Sequence, residues 1–202
     1  MQVLKRLVPV FKHNIKCPYP MDPEFYVVHN TYNDATALNE IAYMTNNDKQ
    51  TSFHYAIDNN HIVQGIEENR NGWHAGDGAN GVGNRKGIGV EICYSKSGGA
   101  RFVEAERLAA KFIAKGLSDK GWGIDKVKKH QDFSGKYCPH RTLGMGWDRF
   151  LKMIEAEMEP EYVKILKAKT DSPKVWIDFI QANKNHPVGK WLPDLIVKLS
   201  QK

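Results

Sequence analysis

The pattern of apolar and polar positions in residues 1–158 predicts several short strands. Residues 25–28 form a short apolar, β-rich run typical of a buried strand, and residues 88–94 are the most strand-like run in the chain. Residues 52–57 alternate like a strand, and the turn that follows predicts a hairpin with a returning strand at 61–64. The strands are separated by segments with a different, helical period.

Helical spacing recurs between and after these strands. Residues 35–44 read as a helix capped by Asn33-Asp34, and residues 103–120 as a longer amphipathic helix that ends at Gly121. Another packing helix is predicted from Trp147 onward, whereas four prolines break any helix in residues 1–24. This order of elements predicts an α/β fold with a mixed central β-sheet flanked by helices.

The pattern changes after residue 158. Residues 155–161 are charged and contain Pro160, so we interpret them as a linker between a domain at 1–158 and a small helical region at 159–202. Two helices are predicted in that region. A unit of this size rarely folds alone, so we expect it to dock, to pair or to bind something. Its many lysines would suit an anionic wall polymer, although a structural cap with a solvated face explains them equally well.

Composition excludes several classes of protein. The 202 residues are 41% hydrophobic and 26% charged, which is ordinary for a globular protein, and the net charge is +6. Three widely spaced cysteines make no disulfide framework and favour synthesis in a reducing compartment. We expect neither a signal peptide nor a membrane span, so release to the outside would need another route. The basic charge favours polyanionic partners without choosing among them.

Three side chains are candidate zinc ligands. His29 ends a predicted buried strand, and His130 and Cys138 flank a turn-forming segment that can bring them to one point. Imidazole and thiolate are ligands that zinc prefers, and three protein ligands leave a fourth position for the water of a catalytic site. Each residue also has a simpler interpretation, as a hydrogen-bonded core histidine or as part of a polar surface loop.

Two further residues suit the chemistry of such a site. Glu91 lies inside an apolar strand, where desolvation would raise its pKa toward that of a general base working near neutral pH. Lys136 lies two residues before Cys138, which on a strand places both on one face, within reach of a developing oxyanion. The alternative for Glu91 is a strand residue that faces water. An HExxH helix, the usual zinc protease motif, is absent from the sequence.

The Gly- and Asn-rich stretch at residues 70–87 predicts a long functional loop. Trp73 and His74 within it suit stacking and hydrogen bonding to a sugar or peptide, although Trp73 could equally be a core residue. Asn30, next to His29 at the strand end, completes the predicted substrate-binding set.

Five segments carry a resemblance to the zinc-dependent N-acetylmuramoyl-L-alanine amidases: YVVHNTY, SFHYAID, WHAGDG, GVEICYS and HQDFSGKYCPHR. This is the family of the phage lysozyme amidase and the peptidoglycan recognition proteins. The likeness covers roughly residues 1–158 in the family's order, and is greatest to amidase endolysins of phages that infect Gram-positive bacilli. It implies a mixed sheet flanked by helices, with Zn²⁺ in a groove that binds glycan and stem peptide.

The resemblance also implies roles for residues. By the match, His29, His130 and Cys138 are the zinc ligands, Glu91 is the catalytic glutamate, Lys136 steadies the transition state, and His74 lines the groove. We therefore expect a monomeric phage peptidoglycan hydrolase that stays in the host cytoplasm until host cell lysis.

One rival interpretation is a peptidoglycan-binding module without catalysis, which would lack a zinc ligand such as Cys138. Another is a nucleic-acid-binding protein, for which the basic residues are too dispersed along the chain.

Overall fold

A six-stranded mixed β-sheet forms the centre of the computed structural model, which describes residues 1–201. Its spatial order is β1-β4-β3-β5-β2-β6. Only β3 and β4 run antiparallel, as the predicted hairpin, and the other neighbours are parallel. The strands are β1 (Val3–Lys5), β2 (Phe25–Asn30), β3 (Tyr55–Ile57), β4 (Ile62–Gln64), β5 (Gly87–Ile92) and β6 (Val127–Lys129).

The two central strands, β2 and β5, position two of the candidate site residues. They pair in parallel over their whole length, with His29 opposite Glu91 and Asn30 opposite Ile92. Strand β6 runs parallel to β2 on its other side and ends directly before His130. Since parallel strands end at the same edge of a sheet, one edge receives candidate residues from three strands that are distant in sequence.

Helices flank this sheet. Their bounds are α1 (His13–Lys16), α2 (Ala37–Asn46), α3 (Val82–Lys86), α4 (Gly99–Lys120), α5 (Gln131–Ser134), α6 (His140–Met145) and α7 (Trp147–Met158). The longest, α4, contacts β5 and β3 and buries an apolar face that includes Phe102, Ile113 and Leu117. It ends at Gly121 in a left-handed conformation with φ of 66°, as the sequence predicted. The predicted α/β class with a mixed sheet is confirmed.

Several boundaries differ from the prediction. The N-terminal residues are not wholly irregular, because Val3–Lys5 adds a parallel edge strand to β4. Helix α2 is capped by the hydroxyl of Thr36, which accepts from the Asn39 N–H at 3.2 Å, and not by Asn33-Asp34. The stretch at 70–87 includes the short helix α3.

The chain separates into two compact units, Met1–Glu157 and a second that begins at Met158. The predicted linker is mostly helical, because α7 continues to Met158 before the chain turns at Pro160. The second unit holds three mutually packed helices where two were predicted: α8 (Glu161–Lys169), α9 (Pro173–Ala182) and α10 (Pro187–Ser200). Among residues 1–201, no helix has both the length and the apolarity that crossing a bilayer requires.

Candidate metal centre

Three buried side chains converge at the edge of the sheet where β2 and β6 end. The Nδ1 atoms of His29 and His130 are 3.0 Å apart, and Cys138 Sγ lies 4.0 Å from His29 Nδ1. One potential ligand atom from each residue lies within 4.8 Å of the others. Tetrahedral zinc with nitrogen and sulfur ligands would separate such atoms by roughly 3.3–3.7 Å, so the donor set and its spacing fit that ion.

The segment after β6 folds so that His130 and Cys138 meet. His130 directly precedes the single helical turn of α5, which Gly135 ends in a left-handed conformation with φ of 74°. The Gln131 N–H then donates to the Cys138 carbonyl at 3.0 Å and closes the loop. The predicted convergence of the two side chains is therefore present, and it is built on a helical turn and a closing hydrogen bond.

A hydrogen-bond partner lies behind His29, because its Nε2 atom is 3.1 Å from His74 Nδ1. Hydrogen bonding to the backbone of Ala75 raises the pKa of His130, and hydrogen bonding to the backbone of Asn30 and His140 lowers the pKa of Cys138, each against the larger effect of burial. Such partners orient metal-binding side chains and hold them in one rotamer.

Burial favours the neutral form of these groups. It holds the pKa of His29 well below its usual range, with smaller contributions from His74 and His130, and lowers the pKa of His130 to about 4. Neutral imidazole is the form that binds metal. Burial also raises the pKa of Cys138 to about 12, so the thiolate would need a cation beside it.

Glu91 is partly buried on β5, opposite His29. Its Oε2 atom is enclosed and has no hydrogen-bond partner among the described residues. Burial, followed by the nearby charge of Glu40, raises the pKa of Glu91 to about 8, and the charge of Lys136 opposes that rise. An enclosed carboxylate with a free oxygen and an elevated pKa is suited to accept and return a proton.

A cavity of about 590 Å³ opens beside Glu91. Helix α2 forms one wall, through side chains that recur at helical spacing, and the loop after it forms another. Glu40 is part of that wall and accepts from Asn33 Nδ2 at 2.6 Å. The sequence analysis missed this wall, although the polar residues Glu40, Tyr43 and Asn47 follow the i, i+3, i+7 pattern of one helix face.

Lys136 is exposed on the loop that precedes Cys138. Its charge lowers the pKa values of Glu91, His29 and Cys138, which places Lys136 in the neighbourhood of these residues. The structural reason for its placement was wrong, because residues 135–139 form no strand. The Cys138 N–H donates to the Lys136 carbonyl at 2.7 Å, which makes a tight turn.

The three predicted substrate-binding residues occupy different positions. Trp73 is partly exposed and lines a second cavity of about 290 Å³, while its indole N–H donates to the Ile15 carbonyl at 3.0 Å. Asn30 is buried, and its side-chain oxygen accepts from the N–H groups of Arg141 and Thr142, which anchors α6. His74 is buried too, with both ring nitrogens hydrogen-bonded inside the protein. Trp73 thus faces a cavity, whereas the hydrogen bonds of Asn30 and His74 are made inside the protein.

Comparison with known proteins gives consistent matches. The family model described as N-acetylmuramoyl-L-alanine amidase matches residues 19–141. The chain is 57% identical to N-acetylmuramoyl-L-alanine amidase CwlA of Bacillus subtilis (strain 168) over 175 residues, which are 86% of this chain and 62% of CwlA. It is 57% identical to N-acetylmuramoyl-L-alanine amidase XlyB of the same strain over 157 residues, 77% of this chain and 50% of XlyB. The chain therefore spans little more than half the length of these curated relatives.

A solved structure also matches. The structure of PlyL superposes with a TM-score of 0.74 at 49% identity, and the match covers 76% of this chain and 97% of that chain.

Proposed function

The chain belongs to the N-acetylmuramoyl-L-alanine amidase family, whose model matches more than half of it, and on that premise we propose that it is a peptidoglycan hydrolase. The bond cleaved is the amide between the lactyl group of N-acetylmuramic acid and the L-alanine of the stem peptide. The observation that carries the proposal is the convergence of His29, His130 and Cys138 next to Glu91. A module that only binds peptidoglycan would not need this complete set.

In this proposal the two histidines and Cys138 hold a zinc ion. Bound zinc supplies a Lewis acid that polarises an amide carbonyl and makes water nucleophilic near neutral pH. The two imidazoles would hold the ion through their Nδ1 atoms, which face each other at 3.0 Å. All three side chains are buried, and a set of three protein ligands would suit a catalytic rather than a structural zinc.

Glu91 is the proposed general base and acid. Its unpaired Oε2 atom takes a proton from the attacking water and returns it to the departing amine of L-alanine. Lys136 places a positive charge near Glu91, which favours the carboxylate form of that residue before the proton arrives. The same charge stabilises negative charge that develops on the carbonyl oxygen.

The cavity beside Glu91 and the one lined by Trp73 are the proposed binding surface for glycan and stem peptide. Both are lined by Thr51, so they adjoin along one face of the first unit. The resemblance to phage endolysins extends the proposal to a monomeric bacteriolytic enzyme of host cell lysis, whose second unit binds anionic wall polymers.

Digestion of purified peptidoglycan tests the reaction directly. Mass spectrometry of the soluble products should find free stem peptides that begin with L-alanine, and chelation of zinc should abolish their release. Cut glycan strands or cut cross-bridges would refute the amidase assignment. Undiminished release of stem peptides after exhaustive chelation would refute the role of zinc.

A further inference from the structure

A chain of hydrogen bonds runs from strand β5 to the metal centre through two imidazole rings. His74 Nε2 lies 3.1 Å from the carbonyl oxygen of Gly87, and His74 Nδ1 lies 3.1 Å from His29 Nε2. The remaining nitrogen of His29, Nδ1, is the atom that faces His130 and Cys138. Both rings are buried, and they meet edge to face.

The carbonyl at one end sets the proton positions along this chain. A carbonyl oxygen can only accept, so the Gly87 contact places the proton of neutral His74 on Nε2. His74 Nδ1 then carries a lone pair and accepts from His29 Nε2–H. With its proton on Nε2, neutral His29 presents the lone pair of Nδ1 to the metal centre.

We propose that His74 is a positioning residue, which holds His29 in the tautomer that binds metal and sets its ring orientation. The inference rests on the proposed function of the site as a zinc centre. It assigns His74 a task different from the substrate contact expected from the sequence. His74 acts through His29 and touches neither substrate nor metal.

The backbone and the ring of His74 are both held in place by the surrounding residues. The side-chain oxygen of Asn84 accepts from the backbone N–H groups of both His74 and Ala75, each at 2.8 Å. Gly89 gives the ring its space, because a Cβ there would lie 2.7 Å from the His74 ring. The neighbouring His54 does not compete for His74, since its own nitrogens bond the Arg70 carbonyl and the Gly89 N–H.

The anchoring by Asn84 extends to Ala75, the residue that follows His74. A residue that merely filled the core would need neither this backbone anchoring nor a matched acceptor for His29.

Two variants of equal shape separate positioning from packing. In His74→Asn the side-chain oxygen can occupy the position of His74 Nδ1 and accept a hydrogen bond from His29 Nε2–H. The leucine of His74→Leu branches at the same carbon as asparagine but has no hydrogen-bond acceptor. Both leave the same part of the ring's volume empty and both leave the Gly87 carbonyl without its donor. Differences between them therefore report the hydrogen bond to His29.

The first readout is the dissociation constant of zinc, measured by competition with a chelating dye on the full chain. We expect His74→Leu to weaken zinc binding roughly 10- to 100-fold, the range typical of lost partners behind metal ligands, and His74→Asn to restore most of that loss. Equal weakening by both variants would overturn the inference and leave His74 a packing residue.

The second readout needs no variant and no zinc. Nitrogen-15 NMR of the histidine rings in the metal-free wild-type chain at pH 7.5 should show His29 protonated at Nε2 and unprotonated at Nδ1. The opposite tautomer would overturn the inference. A wild-type chain that binds no zinc would instead refute the proposed function, and the NMR result would still decide what His74 does to His29.

Discussion

Glu91 is the residue at which the demands of folding and of the proposed chemistry conflict. Its Oε2 atom is enclosed without a partner among residues 1–201, and burial raises its pKa to about 8. An enclosed, unpaired carboxylate destabilises a fold, so its presence in a central strand needs another reason. We therefore predict that Glu91→Gln, which keeps the shape, retains the fold and zinc but lowers turnover roughly 10²- to 10⁴-fold.

Turnover on purified peptidoglycan, bound zinc and thermal unfolding of this variant check the prediction together. Since the charge is removed from an enclosed position, the melting temperature of the metal-free variant at pH 8.5 should equal or exceed that of the wild type. Thr31→Val is a matched control, because it changes another buried polar atom in the wall of the same cavity and should have a much smaller effect on turnover. A Glu91→Gln variant with wild-type turnover would remove Glu91 from the mechanism.

At this scale, the sequence predicted the residues whose chemical type alone is informative. His29, His130, Cys138 and Glu91 were singled out from ligand type, strand ends and burial, and the structure brings them to one place. The supporting contacts could not be predicted in this way. The bonds from His74 to His29 and from Asn30 to Thr142 join residues 45 and 112 positions apart, and they depend on ring orientation and loop closure.

Single side chains also join the elements, and His54, at the start of the hairpin, is the clearest case. Its Nε2–H donates to the Arg70 carbonyl and its Nδ1 accepts from the Gly89 N–H on β5, each at 2.9 Å. Burial lowers its pKa to about 4, whereas an unfolded histidine titrates near 6.5. Between these pH values the His54 imidazole is protonated in the unfolded chain but neutral in the folded chain. The contribution of His54 to folding stability therefore falls as pH decreases.

We therefore predict that His54 contributes less to the stability of the metal-free protein as pH falls through this window. Its contribution to the free energy of unfolding should be constant above about pH 6.5 and should fall by ~3 kcal/mol toward pH 4, while the raised pKa of Glu91 changes stability in the opposite direction. Denaturant titrations of the wild type and of His54→Gln at pH 7.5, 6, 5 and 4.5 give the contribution of His54 as the difference between the two. His54→Gln should be less stable at pH 7.5, and its deficit should shrink toward pH 4.5; a deficit that stays constant would show that His54 does not cause the change.

The prediction of elements succeeded where periodicity was strong and failed where elements were short. Helix α4 and strands β2 and β5 bury long apolar faces, which leave a clear pattern in the sequence. Strand β1 has three residues and is formed by pairing with β4, so its own sequence carries little signal. Likewise, the polar region at 155–161 resembles a linker although most of it is helical, because a solvated helix face has the composition of a linker.

At the scale of the whole molecule, the two units differ in how much apolar surface they bury. The first encloses a continuous core around the sheet, whereas few residues of the second are buried: Val163, Leu166, Ile180 and Gly189. The second unit instead exposes large aromatic side chains, including Trp176, Phe179 and Trp191. A small helical unit with exposed aromatics and an excess of lysines is suited to bind an extended anionic polymer.

The proposed wall-binding role of the second unit can be tested on the full chain by reversing charge. Lys190 and Lys198 are exposed on α10, and Lys111 and Lys152 are equally exposed on helices of the first unit. If the second unit binds anionic polymers, Lys190→Glu with Lys198→Glu should weaken sedimentation with purified cell walls several-fold at low salt, whereas the matched pair at Lys111 and Lys152 should not. Because exposed charges are screened within about 8 Å at physiological salt, the difference should shrink as salt is added.

The difference between the two pairs should also vanish on walls from which anionic polymers have been extracted, since only the common peptidoglycan then remains. Equal weakening by both pairs would show that net charge alone governs wall binding, and the second unit would then have no special part in it.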